Sequence, residues 1–398
     1  MAYGYVQDTI DVTGNREDNG RVGVGGDYRF TDRFKLDGEL SSGDLGAALR
    51  LGTNYQMTDA TDLYTSYALE DERTDNGMKA RRGNLASGFK TRYSDSASMY
   101  MEERYTHGDV PTGLTHALGF DLVINDRLNF GGDIDIGSLF NNVTGAEIKR
   151  KAAGIRVGYK FSKFTYAGAL EYRVDESEQE DTTFAERTTW LTKNSIKYQV
   201  SADWRLIGKL NHSQSESSLG DFYDGNFTEA VVGYAFRPVS NDALNALFKY
   251  TYFYNMPTTD QITPNDGAAQ YIQKSHILSV DAMYDVTQSW TIGGKYAQRI
   301  GKLSLDRENP QFFDSGASLY VVRADWHFIH RWDALIEGRL LEVPDAGDSR
   351  SGLLVAIYHH FNKHVKAGVG YNFTDFSDDL TDLDYDSHGL FINAVGKF

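Results

Sequence analysis

From residue 21 to residue 30 the side chains alternate. Val22, Val24, Gly26, Tyr28 and Phe30 interleave with Arg21, Gly23, Gly25, Asp27 and Arg29. The same period runs through Ile155, Val157, Tyr159 and Phe161 against Gly154, Arg156, Gly158 and Lys160. It returns in Phe164, Tyr166, Gly168, Leu170 and Tyr172 against Thr165, Ala167, Ala169, Glu171 and Arg173. Successive side chains of a strand point to opposite faces, so each segment reads as a strand with one greasy and one charged face. Tight polar turns separate the segments, at Thr31-Asp32-Arg33, Thr58 to Thr61, Ser94-Asp95-Ser96, Asn125-Asp126-Arg127, Ser162-Lys163, Ser201-Ala202-Asp203, Pro238 to Asp242, Thr287-Gln288-Ser289, Ile329-His330-Arg331 and Asn362-Lys363-His364. Between them lie longer polar connections: Glu70 to Arg81, Asp175 to Thr188, Gln214 to Asn226, Asn255 to Gln273, Ile300 to Ser315 and Thr374 to Ser387. With the flanking segments Tyr3 to Val12 and His388 to Phe398, the hairpins predict about 22 antiparallel strands, with 20 or 24 as alternatives.

Alternation alone also fits a β-sandwich with its greasy face inward. Three features turn the reading toward lipid. Aromatic side chains gather beside the tight turns, at Tyr28, Phe30, Phe34, Tyr198, Trp204, Tyr284, Trp290, Trp326, Phe328, Trp332 and Phe361, as an interfacial girdle requires. The strand segments, of about 10 residues, match a tilted membrane crossing. The polar face carries both charge signs in nearly every strand, which suits a water-filled lumen. The expected fold class is therefore all-β: a closed antiparallel up-and-down transmembrane β-barrel occupying residues 1–398 as one domain, in a Gram-negative outer membrane with both termini periplasmic. No run approaches the roughly 20 apolar residues that a spanning helix needs. Met1-Ala2-Tyr3 leads into a strand without a basic start or an apolar core, so the chain is expected to be mature or truncated from a longer precursor.

Composition narrows the chemistry. Cysteine is absent, which removes disulfides, thiolate nucleophiles, thiolate metal sites and Cys-x-x-Cys-His haem attachment. The net charge of -16 argues against a nucleic-acid partner. There is no Gly-x-Ser-x-Gly elbow and no local grouping of Ser, His and acid, so no enzyme activity is expected. Gly23-Val24-Gly25-Gly26 is too short for a dinucleotide fingerprint, and small strand residues permit close packing. No cofactor is expected.

The last segment, His388, Leu390, Ile392, Ala394, Gly396 and Phe398 against Gly389, Phe391, Asn393, Val395 and Lys397, ends on an aromatic residue. It resembles the terminal strand read by the outer-membrane barrel-assembly machinery, with Leu390, Ile392 and Phe398 as the signal. Trp326-His327-Phe328, Trp332-Asp333-Ala334-Leu335 and Gly368-Val369-Gly370-Tyr371-Asn372-Phe373 resemble the C-terminal barrel domain of large multidomain bacterial surface proteins. That resemblance implies anchoring or export of an upstream region, and no reaction.

The charges expected to line the lumen are Arg29, Lys35, Arg50, Arg92, Asp121, Asp133, Asp135, Arg156, Lys160, Glu171, Arg173, Lys197, Lys209, Lys249, Asp281, Lys295, Arg323, Asp325, Glu337 and Arg339. Arg or Lys at the lipid midplane would cost roughly 2 to 4 kcal/mol each, so they belong on the water side. They either tune a hydrated conduit or stiffen the wall through cross-strand pairs. At about 22 strands the cylinder would be roughly 40 to 45 Å across, too wide for side chains to fill. The lumen is then open, or filled by a plug, a passenger or a partner chain. The acidic loop with Asp375, Asp378, Asp379 and Asp382 offers hard oxygen ligands to a divalent cation, without the spacing of an EF-hand. Solvation, or bridging to lipopolysaccharide through ions, is the competing account. His327, His330, His359, His360 and His364 cluster near turns and suit either zinc or interfacial packing. Three functions follow: a translocator or anchor for a larger surface protein, a stand-alone wide porin, or a sheath around a partner.

Overall fold

A computed structural model describes residues 2–7, 21–43, 46–73, 79–108, 112–140, 147–177, 185–240, 243–258, 271–329, 331–361, 365–373, 380 and 389–396. They form one 23-stranded sheet; one member, Phe313–Asp314, has 2 residues, and setting it aside (23 less 1) leaves 22 strands. Each strand pairs antiparallel with the next in sequence, from Ala2–Gln7 through Arg21–Thr31 and Phe34–Gly43 to Val365–Asn372 and Gly389–Gly396. No described helix is long and apolar enough to cross a membrane, so any crossing falls to the strands.

The short turns show why these residues reverse the chain. Thr31 Oγ1 accepts from the amides of Arg33 and Phe34, and Asn125 Oδ1 from those of Arg127 and Leu128. Ser201 Oγ accepts from Asp203 and Trp204, and Thr287 Oγ1 from Ser289 and Trp290. A short side-chain acceptor thus takes the amides that the ladder releases, the reason Ser, Thr and Asn recur at the turns. Ser162, with φ 49°, enters the left-handed region that a two-residue hairpin turn needs.

Two sequence expectations need correction. Most strands exceed ten residues: Lys79–Ser94 and Ile272–Thr287 have 16 each. The ladder runs on into several stretches read as loops, through Arg73, Ser177, Ser217, Met256 and Ser304. Greasy alternation stops where a strand leaves the apolar band, while backbone pairing continues above it. Nor are the connections at the far end all long. Gly43 pairs with Gly46, and Pro344–Ala346 is one 3-10 turn.

The register separates the faces as the alternation demands. Val22, Val24, Tyr28 and Phe30 are 57 to 62% exposed, whereas Gly23 between them is buried. Side chains reach over an intervening strand on both faces: Tyr67 meets His107 at 3.2 Å across Gly83 on the greasy face, and others do so on the polar face. Tyr3 and Tyr5 pass over Gly25 and Gly23 to Glu39, with hydroxyl-to-carboxylate distances of 2.5 and 2.9 Å. Tyr64 donates to Glu102 at 2.6 Å across the strand Lys79–Ser94. The polar face also receives Leu380, packed with Leu341, Leu319, Ala297 and Ile277 of strands two and more places back in the ladder, and it is the inside of the curve.

Candidate functional site

Every charge predicted for the lumen stands on this concave face, by the parity of the ladder. Many meet there. Arg156 joins Asp133 and, at 3.4 Å, Asp121. Arg104 holds Glu102 and lies 3.6 Å from Asp135. Lys35 lies 3.8 Å from Asp27, and Lys209 2.7 Å from Glu229. Arg323 grips Asp325 with two bonds of 2.8 and 3.1 Å, and Arg339 meets Glu337 at 2.6 Å. Lys295 faces Asp281, and Arg50 faces Glu39. Arg29, Arg92, Lys160, Lys197, Lys249 and Glu171 stand on the same face in register with Lys35, Ser98, Thr165, Thr165, Gly233 and Leu191. A groove of about 750 Å³ runs past Asp121, Asn129, Arg156, Lys193, Lys209 and Asn211.

A second charge cluster stands farther along the wall. Arg150 pairs bidentately with Asp175 at 2.6 and 3.0 Å, and Arg173 Nε lies 3.4 Å from the same carboxylate. Arg187 sits directly opposite Asp175, and both are 5% exposed. Three guanidinium groups surround one carboxylate beside a cavity of about 400 Å³, also lined by Ser213, Ser215, Asn226 and Asn255. Such a lining can hold a carboxylate or phosphate group of a solute. Of this cluster only Arg173 is expected from the sequence: Asp175 and Arg187 fall within the stretch from Asp175 to Thr188 read as loop, and Arg150 precedes the greasy alternation that begins at Ile155. Their signal was an alternation of charged residues with no greasy partner set.

The concave face also has an apolar spot. Leu380 packs against Ile277, Ala297, Ala317, Leu319, Val321 and Leu341, and Arg299 Nη1 donates to its carbonyl at 3.2 Å. Leu380, of the chain's last long connection, therefore rests on the inner wall. Asp375, Asp378, Asp379 and Asp382 of that connection, with Phe398, His330 and His364, lie outside the described residues. Leu390 and Ile392 belong to the strand Gly389–Gly396.

Ringed side chains of the predicted girdle share the convex face close to the short turns. Trp290 stacks on Trp326 at 5.2 Å, and Trp326 meets Phe328 at 5.2 Å. Trp204 lies 4.4 Å from Tyr234, Phe30 5.6 Å from Phe34, Trp332 4.6 Å from His359, and His359 4.9 Å from Phe361. Tyr28 contacts Phe30 at 4.7 Å, Tyr198 faces Phe164, and Tyr284 faces Leu244. Of the late histidines, His359 is on this face, whereas His327 and His360 turn to the concave side. Among the described residues, ion pairs also stand on the convex face: Glu103 and His116 face each other 2.5 Å apart, and Lys151 and Glu176 meet at 3.0 Å toward the long-connection end.

No family model matches the chain, and no curated protein does. Solved structures do. The siderophore receptor PirA from Pseudomonas aeruginosa is similar at TM-score 0.57 and 11% identity, over 100% of this chain and 79% of that one. The copper transporter OprC is similar at TM-score 0.57 and 11% identity, over 99% and 78%. The FrpB iron transporter from Neisseria meningitidis is similar at TM-score 0.53 and 10% identity, over 99% and 80%. At such identities the likeness is one of fold, the fold of outer-membrane β-barrels.

Proposed function

We propose that the chain is a stand-alone transport barrel of the Gram-negative outer membrane. Its convex face meets lipid, its termini lie on the periplasmic side, and its concave face lines a hydrated lumen for small polar solutes. One observation carries this reading: charged side chains converge on the inside of the curve while large apolar ones stay exposed outside. In water that exposed apolar surface would be a liability; in hydrocarbon it is the expected arrangement. The siderophore receptor and the copper and iron transporters of like fold support a transport role. The terminal strand is then the part read by the assembly machinery, and lipopolysaccharide surrounds the outer rim.

Planar-bilayer recording of the purified, folded chain tests the proposal. Stable conductance steps in the nanosiemens range are expected. Silence from a chain that resists cold detergent as a folded barrel would overturn the conduit and leave a sheath filled by a partner. The anchor reading makes a separate prediction, a long region encoded upstream of residue 1, which the full gene sequence decides.

A further inference from the structure

We propose that His327, Asp333 and His360 form a binding site for a divalent transition-metal ion of the zinc or copper class at the short-turn end of the concave face. The three residues come from adjacent strands, Ala317–Ile329, Trp332–Val343 and Asp348–His360. His327 lies directly opposite Asp333 in the ladder. On the other side Asp333 faces Tyr358, and His360 follows two residues later, so it returns to the same face. Register alone thus aims all three side chains at one point, although the histidines are far apart in sequence.

The geometry is close to a ligand set. His327 Nδ1 and His360 Nε2 donate to the two oxygens of Asp333, each at 2.6 Å. All three ligand atoms lie within 4.8 Å of one another. Ligands bound at 2.0 to 2.2 Å in a tetrahedral shell stand roughly 3 to 3.5 Å apart, so an ion enters by small ring rotations, without backbone movement. Each imidazole then moves its proton to the far ring nitrogen and offers the near one to the metal. The carboxylate offsets one of the ion's two charges.

Ligand type sets the class of ion. Two imidazole nitrogens with one carboxylate suit zinc, copper(II) or nickel, whereas calcium and magnesium take all-oxygen shells. The His327, Asp333 and His360 side chains are 43, 20 and 37% accessible, so an ion reaches them from the water side and one coordination position stays open. The site is distinct from the arginine cluster and does not depend on the conduit being open. A hydrogen-bonded tie between strand ends is the competing role, and metal titration separates the two.

The experiment uses the full chain, made without a polyhistidine tag and folded in detergent. Titration with zinc chloride and copper chloride should show one saturable equivalent, and calcium chloride none. Single variants His327→Ala, His360→Ala and Asp333→Asn should each weaken binding at least tenfold, while His276→Ala, which removes a histidine bonded to Tyr250 elsewhere on the wall, leaves it unchanged. Paramagnetic resonance of the copper form should show two coupled nitrogens in the parent and one in each histidine variant. Unaltered binding in those variants, or no saturable equivalent in the parent, would overturn the site.

Discussion

At the scale of single residues, the glycines under Tyr3 and Tyr5 carry the clearest physical argument. A Cβ on Gly23 would collide with the Tyr5 ring, and one on Gly25 with the Tyr3 ring. Each tyrosine lies flat over a glycine to reach Glu39, so an overfilled seat lifts the ring and breaks its hydrogen bond. Gly23→Val should cost about 1 to 3 kcal/mol in urea unfolding from lipid vesicles. Glu103 and His116 make the opposite case, an ion pair where lipid is expected. Removing His116 alone strands a carboxylate, so His116→Leu should destabilise by roughly 1 to 3 kcal/mol, while Glu103→Leu with His116→Leu restores or exceeds parental stability. The facing of the charges was legible because strand parity is local. Their partners were not, since Arg156 meeting Asp121 depends on register across two ladders.

At the scale of elements, strand bodies and short turns were readable and strand ends were not. Turn residues act through their own side chains, as Thr31 and Asn125 do, and so announce themselves. The outer strand ends lack that signal, and their connections are organised by distant contacts. Arg307, 9% exposed, donates to the carbonyls of Pro257 at 2.8 Å and Asp224 at 2.5 Å and lies over the Phe222 ring. Burial pulls its guanidinium below the ordinary value, against the opposing pull of Asp224 and Tyr254. One side chain thus joins three connections that nothing in their sequences links. Arg307→Ala should lose about 1.5 to 3 kcal/mol locally and make the segment near Asp306 cleavable by added protease, with the strands still intact. Leu380→Asp should expel residue 380 from its apolar seat, read as faster labelling of a cysteine placed at Leu319.

At the scale of the molecule, the two faces of the sheet define the account. Meander order and strand number followed from counting hairpins, because an up-and-down sheet has no crossovers to hide. The arginine cluster did not follow, and of the late histidines, which the sequence left between zinc and packing, it did not single out His327 and His360 around Asp333, since both groups are assembled by register between strands. The cysteine-free chain permits one direct test of the faces. Single cysteines at Val280, Tyr296 and Val322, and at their neighbours Asp281, Lys295 and Arg323, are spin-labelled in lipid vesicles. The account predicts that the first set collides with oxygen dissolved in lipid and the second with a water-soluble nickel chelate. Equal access of the chelate to both sets would contradict it.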